Sequence, residues 1–416
     1  MLFFTLPASS GPVEVDSDEA TALRAFARRI KAPGAAIVDA STLTPFFAAL
    51  DHGADDRVNV AFFGNSLIAA DRIVNVVRRR LVEQVGDGGR GFLLVDRLAA
   101  YGPRDRTARS ASGWTVCSLG DVMPLPQSRG VAFGIAGIAH VADVAGARSV
   151  FALEAGDTVA TVFSAVARGR GALQVRFDRG PWRDIVVVDG VDLVDGERTA
   201  SIVHRLAIPA GSATMELKAL SAKTVVHGVA VENDGGGVVV DTFGVPAVDA
   251  TLWLGTDPLT MSAQLAARDP DLAVIMLGGN ETKRVAWHRR DVDDVEDDLR
   301  TLIRRVRDVV ATPCLVVGPI DAVVGSGPDV FRQRPQLDDV NELHRVVAHD
   351  EGCGWFDLYA AMGGRGSLSR LNDAGAVHGD LVHPKGRGLD VLGQLIADAL
   401  FDAWRAVAVD VKTVAR

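Results

Sequence analysis

Four short stretches of this sequence carry residue types that together could perform acyl transfer. In chain order they are Gly64-Asn65-Ser66-Leu67, Phe243-Gly244-Val245, Leu277-Gly278-Gly279-Asn280-Glu281 and Asp380-Leu381-Val382-His383. Acyl transfer needs a nucleophile, a base that accepts its proton, a group that orients the base, and hydrogen-bond donors for a transient oxyanion. Because each stretch supplies one of these parts, the pattern predicts a dispersed serine hydrolase site.

Each candidate residue has a distinct expected role. Ser66 is the expected nucleophile, and His383 is the expected general base and then general acid. Asp380 is expected to hold the imidazole in the tautomer that accepts the serine proton. The expected oxyanion hole consists of the backbone N–H groups of Ser66 and Gly244 and the side-chain amide of Asn280.

Each residue also has an ordinary structural explanation. A serine just before a helix is most often an N-cap, and an asparagine at the end of a strand is usually a turn or cap residue. Glycine after a strand often only turns the chain, and Asp380 with His383 fits a surface turn ahead of Pro384. His378, near the proposed base, fits a structural role better than a substrate contact. The order of all four stretches together favours the catalytic interpretation.

The set resembles the SGNH/GDSL hydrolases, whose four marker residues are a serine, a glycine, an asparagine and a histidine. Here the markers correspond to Ser66, Gly244, Asn280 and His383. The run Gly86-Asp87-Gly88-Gly89-Arg90-Gly91-Phe92 is similar to the branch that contains peptidoglycan O-acetylesterases. That branch carries a carbohydrate-binding-module-like β-sandwich between its first two blocks. The resemblance is good over about 58–94, 236–285 and 312–408, and looser elsewhere.

Two positions depart from the family's pattern. The family usually has aspartate before the serine, where this chain has Asn65, and often threonine where this chain has Gly279. Asparagine keeps the size of aspartate and can still accept a backbone hydrogen bond at a cap. Glycine lowers local stiffness, while Asn280 is kept. The departures weaken the inference of activity without excluding it.

The flanking patterns predict the elements that position these residues. Val58–Phe63 is apolar except for Asn59, which is typical of a strand buried on both faces of a parallel sheet. The helix that follows has one apolar stripe, formed by Ile73, Val76, Val77, Leu81 and Val85. This arrangement places Ser66 at the carboxyl end of a strand, where open α/β sheets bind ligands. Another helix is predicted around Glu19–Lys31.

From about 113 to 240 the pattern changes to short strands between Gly, Asp and Pro turns, which predicts an all-β sandwich. The predicted strands are Ser149–Leu153, Thr158–Phe163, Leu173–Phe177, Ile185–Val188, Ile202–Ile208 and Thr214–Leu217. The α/β rhythm then resumes. Its predicted elements are strand Leu272–Leu277, a helix over Val292–Val310, strand Cys314–Val317, a helix over Val340–Val347, strand Trp355–Leu358 and a helix over Leu389–Val407.

Together these patterns predict an α/β fold: a flavodoxin-like SGNH-hydrolase three-layer α/β/α domain with an inserted all-β sandwich domain. The hydrolase-like domain is expected to be discontinuous, formed by 1–112 and 241–416. The insert is expected at 113–240, and its likeness to a carbohydrate-binding module rests on the resemblance alone.

Composition and charge narrow the class of partner. The 416 residues are 48% hydrophobic and 23% charged, which is typical of a protein with a substantial core. The formal net charge of −9 argues against nucleic-acid or anionic-membrane partners, since these require clustered Lys and Arg. No apolar run approaches the ~20 residues that span a bilayer, so no transmembrane segment is expected.

Other motifs predict no cofactor and no metal ion. Gly86–Gly91 matches GxGxxG, but it follows a helix, whereas a dinucleotide-binding loop follows a strand. His344 and His349 are five positions apart and would face different directions on a helix. The spacing of the three cysteines indicates neither a zinc site nor a disulfide framework, although one pair could form. They are Cys117, Cys314 and Cys353.

The sequence leaves the compartment and the oligomeric state open. Residues 1–10 lack the basic region and the length of a signal peptide, although they could be the tail of one that starts upstream. The family resemblance implies a periplasmic or secreted protein.

The favoured function is a serine esterase that removes O-acetyl or another small acyl group from a carbohydrate, with peptidoglycan as the implied polymer. Within enzymes, the alternative is an O-acetyltransferase that uses the same acyl-enzyme. The non-catalytic alternative is a glycan-binding or envelope-assembly protein on a hydrolase scaffold, and Asn65 and Gly279 are its support.

Overall fold

The computed structural model describes residues 35–98, 103, 105–121, 125–166, 171–186, 200–323 and 332–414, together with Thr21 and Ala27. Over 408–414 only the backbone is described. The helix predicted around Glu19–Lys31 therefore lies almost wholly outside the described residues.

The described residues form sixteen strands, most of them at the positions that the hydrophobic patterns predict. In chain order they are β1 (Arg57–Gly64), β2 (Gly89–Leu93), β3 (Ser110–Ser112), β4 (Trp114–Ser118), β5 (Ile138–Ala142), β6 (Arg148–Ala152), β7 (Val159–Val166), β8 (Leu173–Phe177), β9 (Arg183–Val186), β10 (Ala200–Ala207), β11 (Thr214–Ala219), β12 (Val225–Glu232), β13 (Gly237–Gly244), β14 (Leu272–Met276), β15 (Cys314–Val317) and β16 (Gly354–Phe356).

Eleven α-helices lie between or after these strands within the described residues. They are α1 (Thr44–His52), α2 (Ser66–Ala69), α3 (Arg72–Val85), α4 (Ala250–Trp253), α5 (Pro258–Arg268), α6 (Gly279–Ala286), α7 (Val292–Val310), α8 (Leu337–Asp350), α9 (Leu358–Ala361), α10 (Ser367–Asp373) and α11 (Arg387–Val414). Two short 3₁₀ helices span Ala40–Leu43 and Pro126–Ser128.

The central sheet has five parallel strands in the order β13-β1-β14-β15-β16. Counted along the chain within this sheet, the order is 2-1-3-4-5, which is that of a flavodoxin-like fold. The last strand is shorter than predicted, because Leu358 begins α9. The predicted flavodoxin-like α/β fold is confirmed.

Helices cover both faces of the parallel sheet and complete three layers. On one face, α1, α3 and α11 pack their apolar side chains against the strands, as with Phe46, Ile73 and Ile396. On the other face, α5, α7 and α8 do the same, as with Leu265 and Ile303. Since both faces of the sheet are covered, its strands are apolar along nearly their whole length.

The strands between the parallel segments form two antiparallel sheets. One has the order β10-β7-β12-β5-β4, with β2 also paired to β12, and the other has the order β3-β6-β11-β8-β9. Buried side chains from both sheets share one hydrophobic cluster, which includes Phe151, Val162, Val175, Leu217 and Val229. Both β2 and β3, which precede residue 113, pair within these sheets. The division into 1–112, 113–240 and 241–416 and the carbohydrate-binding role stay predictions.

Aromatic side chains join the six-stranded antiparallel sheet to the parallel sheet. Phe243 of β13 lies 5.2 Å, between ring centroids, from Phe63 of β1 and also 5.2 Å from Phe92 of β2. Phe92 in turn lies 5.3 Å from Phe163 of β7. This continuous row of rings makes the two sheets parts of one packed interior.

A buried ion cluster lies at the same junction. Arg268 of α5 is 2.7 Å from Glu232 of β12 and 2.7 Å from Asp241 of β13, and each of the three is at most 4% exposed. Asp241 also accepts the backbone N–H of Phe92 at 2.7 Å. Removal of one member would leave an unpaired buried charge, so the cluster fixes how β2, β12 and β13 meet.

The glycine-rich run that leads into β2 allows close packing at Gly91. Gly91 has a φ of +69°, and a Cβ there would overlap the carboxylate of Asp241. Only glycine combines this backbone conformation with so close an approach.

One pair among the three cysteines is bonded. Cys314, at the start of β15, forms a disulfide with Cys353, the residue before β16, and their Cα atoms are 4.8 Å apart. Cys117 is free and buried. Within the described part of the chain, no helix has the length and apolarity needed to cross a membrane.

The two histidines of α8 face different directions, as their spacing predicts. His349 is largely exposed and contacts Asp39 at 2.8 Å. His344 is 1% exposed and lies edge-on to Trp355, and no described residue hydrogen bonds to either of its ring nitrogens. Because burial disfavours the charged imidazolium, the pKa of His344 is lowered to about 4.

We expect His344→Leu to make folding less sensitive to acid. The unfolded chain binds a proton at this histidine near pH 6.5 and the folded chain only near pH 4, so wild-type stability falls as pH drops between these values. The loss is on the order of 3 kcal/mol. Urea unfolding from pH 7 to pH 4 measures it. The variant should show a shallower loss than both wild type and a His52→Leu control at an exposed site, and equal slopes in all three would contradict this.

Candidate active site

Ser66 lies at the carboxyl edge of the parallel sheet. In the sheet, Gly64 at the end of β1 is opposite Gly244 of β13 on one side and Met276 of β14 on the other. Asn65 then caps α2, because its Oδ1 accepts the backbone N–H of Leu67 at 3.0 Å. Ser66 is the first residue of α2, so its own N–H has no acceptor within the helix and can serve a ligand.

The structure brings Ser66, His383 and Asp380 into one hydrogen-bonded chain. Ser66 Oγ is 2.9 Å from His383 Nε2, across 317 positions of sequence. His383 Nδ1 is 2.8 Å from Asp380 Oδ2. With a proton on Nδ1, Nε2 is left as an acceptor for the serine hydroxyl proton. This arrangement is the one that general-base activation of a serine requires.

A tight turn sets the relative position of Asp380 and His383. Asp380 Oδ1 accepts the backbone N–H groups of Val382, at 2.9 Å, and His383, at 3.1 Å. Between them Leu381 has a left-handed φ of +53°. Partial desolvation raises the pKa of Asp380, but hydrogen bonds from the His383 ring and from these two N–H groups outweigh it and lower the pKa to about 2. The carboxylate therefore stays ionised at neutral pH.

His378 closes the same turn through its backbone. Its N–H donates to the carbonyl of His383 at 2.8 Å, and its own carbonyl accepts the N–H of Leu381 at 3.0 Å. The His378 side chain points to solvent. These contacts support the structural interpretation of this histidine.

A surface ion pair joins the helices that follow the two site segments. Arg72, the first residue of α3, donates to both carboxylate oxygens of Asp390 in the first turn of α11, at 2.6 and 2.7 Å. The helices α3 and α11 pack along each other behind the site. The segment with Ser66 therefore leads into α3 and the segment with His383 leads into α11, and these two helices are joined by the ion pair.

Gly244 packs directly beneath α2. A Cβ at this position would overlap the backbone of Ala69 and Ile68. Glycine thus allows α2 to sit against the end of β13, which brings the Gly244 backbone close to the Ser66 helix. Its role as an oxyanion donor stays a prediction.

Asn280 is the second residue of α6, just beyond the end of β14. Its Nδ2 donates to the carbonyl of Val248 at 2.6 Å, which fixes the orientation of the amide and leaves its second N–H for a ligand. Among the described residues, no hydrogen bond joins Asn280 or Gly244 to Ser66. Gly244 ends β13 and Asn280 follows β14, and since both strands flank β1 the two residues lie at the same edge of the sheet.

Glu281 stabilises the start of α6, a role that sequence reasoning missed. Its buried carboxylate accepts the backbone N–H groups of Gly278, at 2.8 Å, and Ala250, at 3.1 Å. Burial, together with the neighbouring Asp249, raises the pKa of Glu281 to about 7. The contacts tie the 248–250 segment to α6, and so hold the Val248 carbonyl that orients Asn280.

Asp71 anchors the other end of α2, and sequence reasoning did not predict its partners. It accepts two hydrogen bonds from Arg78, at 2.9 and 3.0 Å, a bond from Thr242 of β13, and a weaker contact from Arg106 at 3.4 Å. Burial raises the pKa of Asp71, but the two arginines outweigh it and lower the pKa. A cavity of about 50 Å³ lies beside this cluster and Gly244, and Ser66 does not line it.

Arg334 lies beside the start of α6, and sequence reasoning missed it as well. Its Nη1 donates to the carbonyl of Gly279 at 3.0 Å. The pKa of this partly buried guanidinium is lowered by desolvation. A single arginine in a polar segment gives no sequence signal, because only the tertiary fold brings it to Gly279.

The two departures from the family pattern are neighbours in space. A Cβ at Gly279 would lie 3.9 Å from Asn65 Nδ2. The cap that Asn65 provides to α2 is intact. The contact between Ser66 and His383 is also present with Asn65 and Gly279 in place.

We expect Asn65→Ala to destabilise α2 by about 1 kcal/mol, through loss of its cap, and to slow labelling of Ser66 by a fluorophosphonate probe. Asn65→Asp keeps the acceptor and should keep both properties. Asp357 caps the equally short helix α9 after β16, by accepting the N–H of Ala360 at 2.8 Å. Asp357→Ala should therefore cost similar stability with unchanged labelling. Normal labelling of Asn65→Ala would show that the cap does not position Ser66.

Comparison with known proteins supports this description of the fold. Residues 219–391 match the GDSL-like Lipase/Acylhydrolase family. No curated protein matches the sequence significantly. A solved peptidoglycan O-acetylesterase is similar in structure, with a TM-score of 0.70, 19% sequence identity, and coverage of 88% of this chain and 97% of that one.

A second solved structure is similar over a smaller region. It is an acetylxylan esterase from Geobacillus stearothermophilus, with a TM-score of 0.31, 20% identity, and coverage of 40% of this chain and 73% of that one. The family match supports an acylhydrolase, and the likeness to the peptidoglycan O-acetylesterase shows the fold.

Proposed function

We propose, with the acylhydrolase match as the premise, that this protein is a serine esterase that removes acetyl or another small acyl group from a carbohydrate. The observation that carries the proposal is the chain of hydrogen bonds from Ser66 Oγ through the His383 ring to Asp380. The name of the similar peptidoglycan O-acetylesterase supports an acetylated glycan as the substrate.

In the proposed reaction Ser66 Oγ attacks the ester carbonyl while His383 Nε2 accepts its proton. The carbonyl oxygen becomes negative and is stabilised by the N–H groups of Ser66 and Gly244 and by the Asn280 amide. The intermediate then collapses, the sugar oxygen leaves with the proton from His383, and an acyl-enzyme remains. Water, deprotonated by the same imidazole, attacks the acyl-enzyme, and collapse of the second intermediate releases the carboxylic acid and restores Ser66.

The exposure of the site favours hydrolysis over acyl transfer to a second sugar. The side chains of His383 and Asp380 are 39% and 48% exposed. Water can therefore reach the acyl-enzyme from the side of the imidazole. An open site of this kind also admits an ester whose alcohol is a bulky polymer.

Ser66→Ala should abolish turnover of p-nitrophenyl acetate and labelling by a fluorophosphonate, because it removes the hydroxyl that contacts His383 Nε2. Asn280→Ala should stay folded, keep the label and lose about 10² to 10³ in kcat, the typical cost of one oxyanion donor. Initial rates with circular dichroism as a folding control measure both effects. Wild-type turnover in Ser66→Ala would remove the assignment, and product made only when a sugar acceptor is added would favour the transferase.

Asp380→Asn should lower kcat by about 10³ to 10⁴. In the variant, the amide oxygen would still accept the backbone N–H groups of Val382 and His383, so its NH₂ would point at His383 Nδ1. The imidazole would then carry its proton on Nε2. In wild type the low pKa of Asp380 keeps the carboxylate ionised above about pH 2, so we expect no loss of rate from Asp380 protonation between pH 5 and pH 8. Rates measured over that range test this, and an unchanged kcat in the variant would show that Asp380 does not orient the base.

A further inference from the structure

Trp287 is a large aromatic side chain that the fold leaves in solvent. It is 53% exposed and follows the last residue of α6, the helix that begins at Gly279 and Asn280. Asn280, Lys283 and Trp287 are spaced by three and then four residues, so they lie along one face of the helix. At 1.5 Å of rise per residue, Trp287 is about 10 Å along the helix from Asn280.

Two cations hold the Trp287 ring. Lys283 Nζ is 4.6 Å and Arg289 Cζ is 4.9 Å from the ring centroid, which is within the range of cation–π attraction. These three residues are called the Trp287 platform below.

The charges of the platform are available to a ligand. Among the described residues, no carboxylate forms an ion pair with Lys283 or Arg289, whereas the neighbouring Arg284 pairs with Asp249 at 2.9 Å. Arg290, next to the platform, pairs with Asp298. The chain as a whole has a net charge of −9. Two cations without a paired carboxylate, beside an exposed aromatic ring, are a local exception to this negative charge.

The packing of α6 does not use the platform. The buried face of the helix consists of Glu281, Thr282 and Val285. Glu281 is committed to Gly278 and Ala250, as described above. The platform therefore faces outward, along a line that starts at the proposed oxyanion donor.

We propose that the Trp287 platform is a subsite for a sugar ring that carries a carboxylate, in the same glycan chain whose ester is cleaved at Ser66. This inference rests on the proposed function and names its substrate class as an acidic glycan. The apolar face of a sugar packs on an aromatic ring, and a carboxylate pairs with an ammonium and a guanidinium group. The distance from Asn280 to Trp287 is on the order of the length of a disaccharide.

A second tryptophan with nearby cations provides a matched control. Trp182 lies near Arg176, at 4.5 Å, and Lys218, at 4.1 Å, on the five-stranded antiparallel sheet. There Glu216 contacts both Arg176 and Arg148, so its carboxylate neutralises part of the charge. Trp182 immediately precedes β9, which belongs to a different sheet from the strands that carry the site.

The test compares three esters: O-acetylated polygalacturonate, neutral O-acetylated xylan, and p-nitrophenyl acetate. Trp287→Ala should raise KM for the acidic polymer about tenfold or more, equivalent to at least about 1.4 kcal/mol, with kcat and the p-nitrophenyl acetate rate unchanged.

Lys283→Gln with Arg289→Gln should raise KM for the acidic polymer and leave the xylan values unchanged. Added salt should weaken the wild-type preference for the acidic polymer. Trp182→Ala should match wild type.

Binding separates a failure of this inference from a failure of the proposed function. Titration calorimetry with oligogalacturonate, on Ser66→Ala and on Ser66→Ala combined with Trp287→Ala, needs no catalysis. Loss of binding only in the second protein supports the platform even if no ester is hydrolysed. Equal binding in both, equal KM values, or a loss produced by Trp182→Ala instead would overturn it.

Discussion

The parallel register of β13, β1 and β14 is the constraint on which the site depends. It places Gly244, Gly64 and Met276 side by side at one edge of the sheet. The chain leaves each strand within a few residues of that row, so Ser66 and Asn280 emerge at the same edge. A shift of one position in either pairing would separate these groups and would turn buried side chains to the wrong face. The apolar strands, covered by helices on both sides, make such a shift costly.

Strand β13 also joins the parallel sheet to the rest of the molecule. Its Thr242 contacts Asp71 behind α2, and its Asp241 contacts Arg268 and the backbone of Phe92. Buried ion pairs add little net stability over apolar packing, but loss of one partner is expensive. The main effect of the two clusters is therefore to fix geometry. The cluster around Asp71 positions the Ser66 helix, and the cluster around Arg268 positions the antiparallel strands against β13.

Much of this arrangement is predictable from sequence, for identifiable reasons. Strands buried on both faces give continuous apolar runs, and Ser66, Asp380 and His383 lie in local patterns whose order carries the prediction. The bond between Cys314 and Cys353 could not be chosen from spacing, because it depends on the adjacency of β15 and β16. The contacts of Asp71 with Thr242 and Arg106, and of Arg334 with Gly279, are likewise set by the tertiary fold. The strands β2 and β3 are short and rich in small residues, so they give little periodic signal.

The proposed base and the residue proposed to orient it come from one turn, whereas the proposed nucleophile comes from a segment 317 positions away. A change in how the helices pack therefore affects the Ser66–His383 and His383–Asp380 hydrogen bonds unequally. If α11 slides or tilts against α3, the imidazole and its carboxylate travel together, and the proton stays on Nδ1. Only the gap to the serine hydroxyl widens. Small substitutions where α3 and α11 pack together can therefore change reactivity during evolution, although they lie away from the atoms that touch substrate. The pair of Asp380 and His383 need not change.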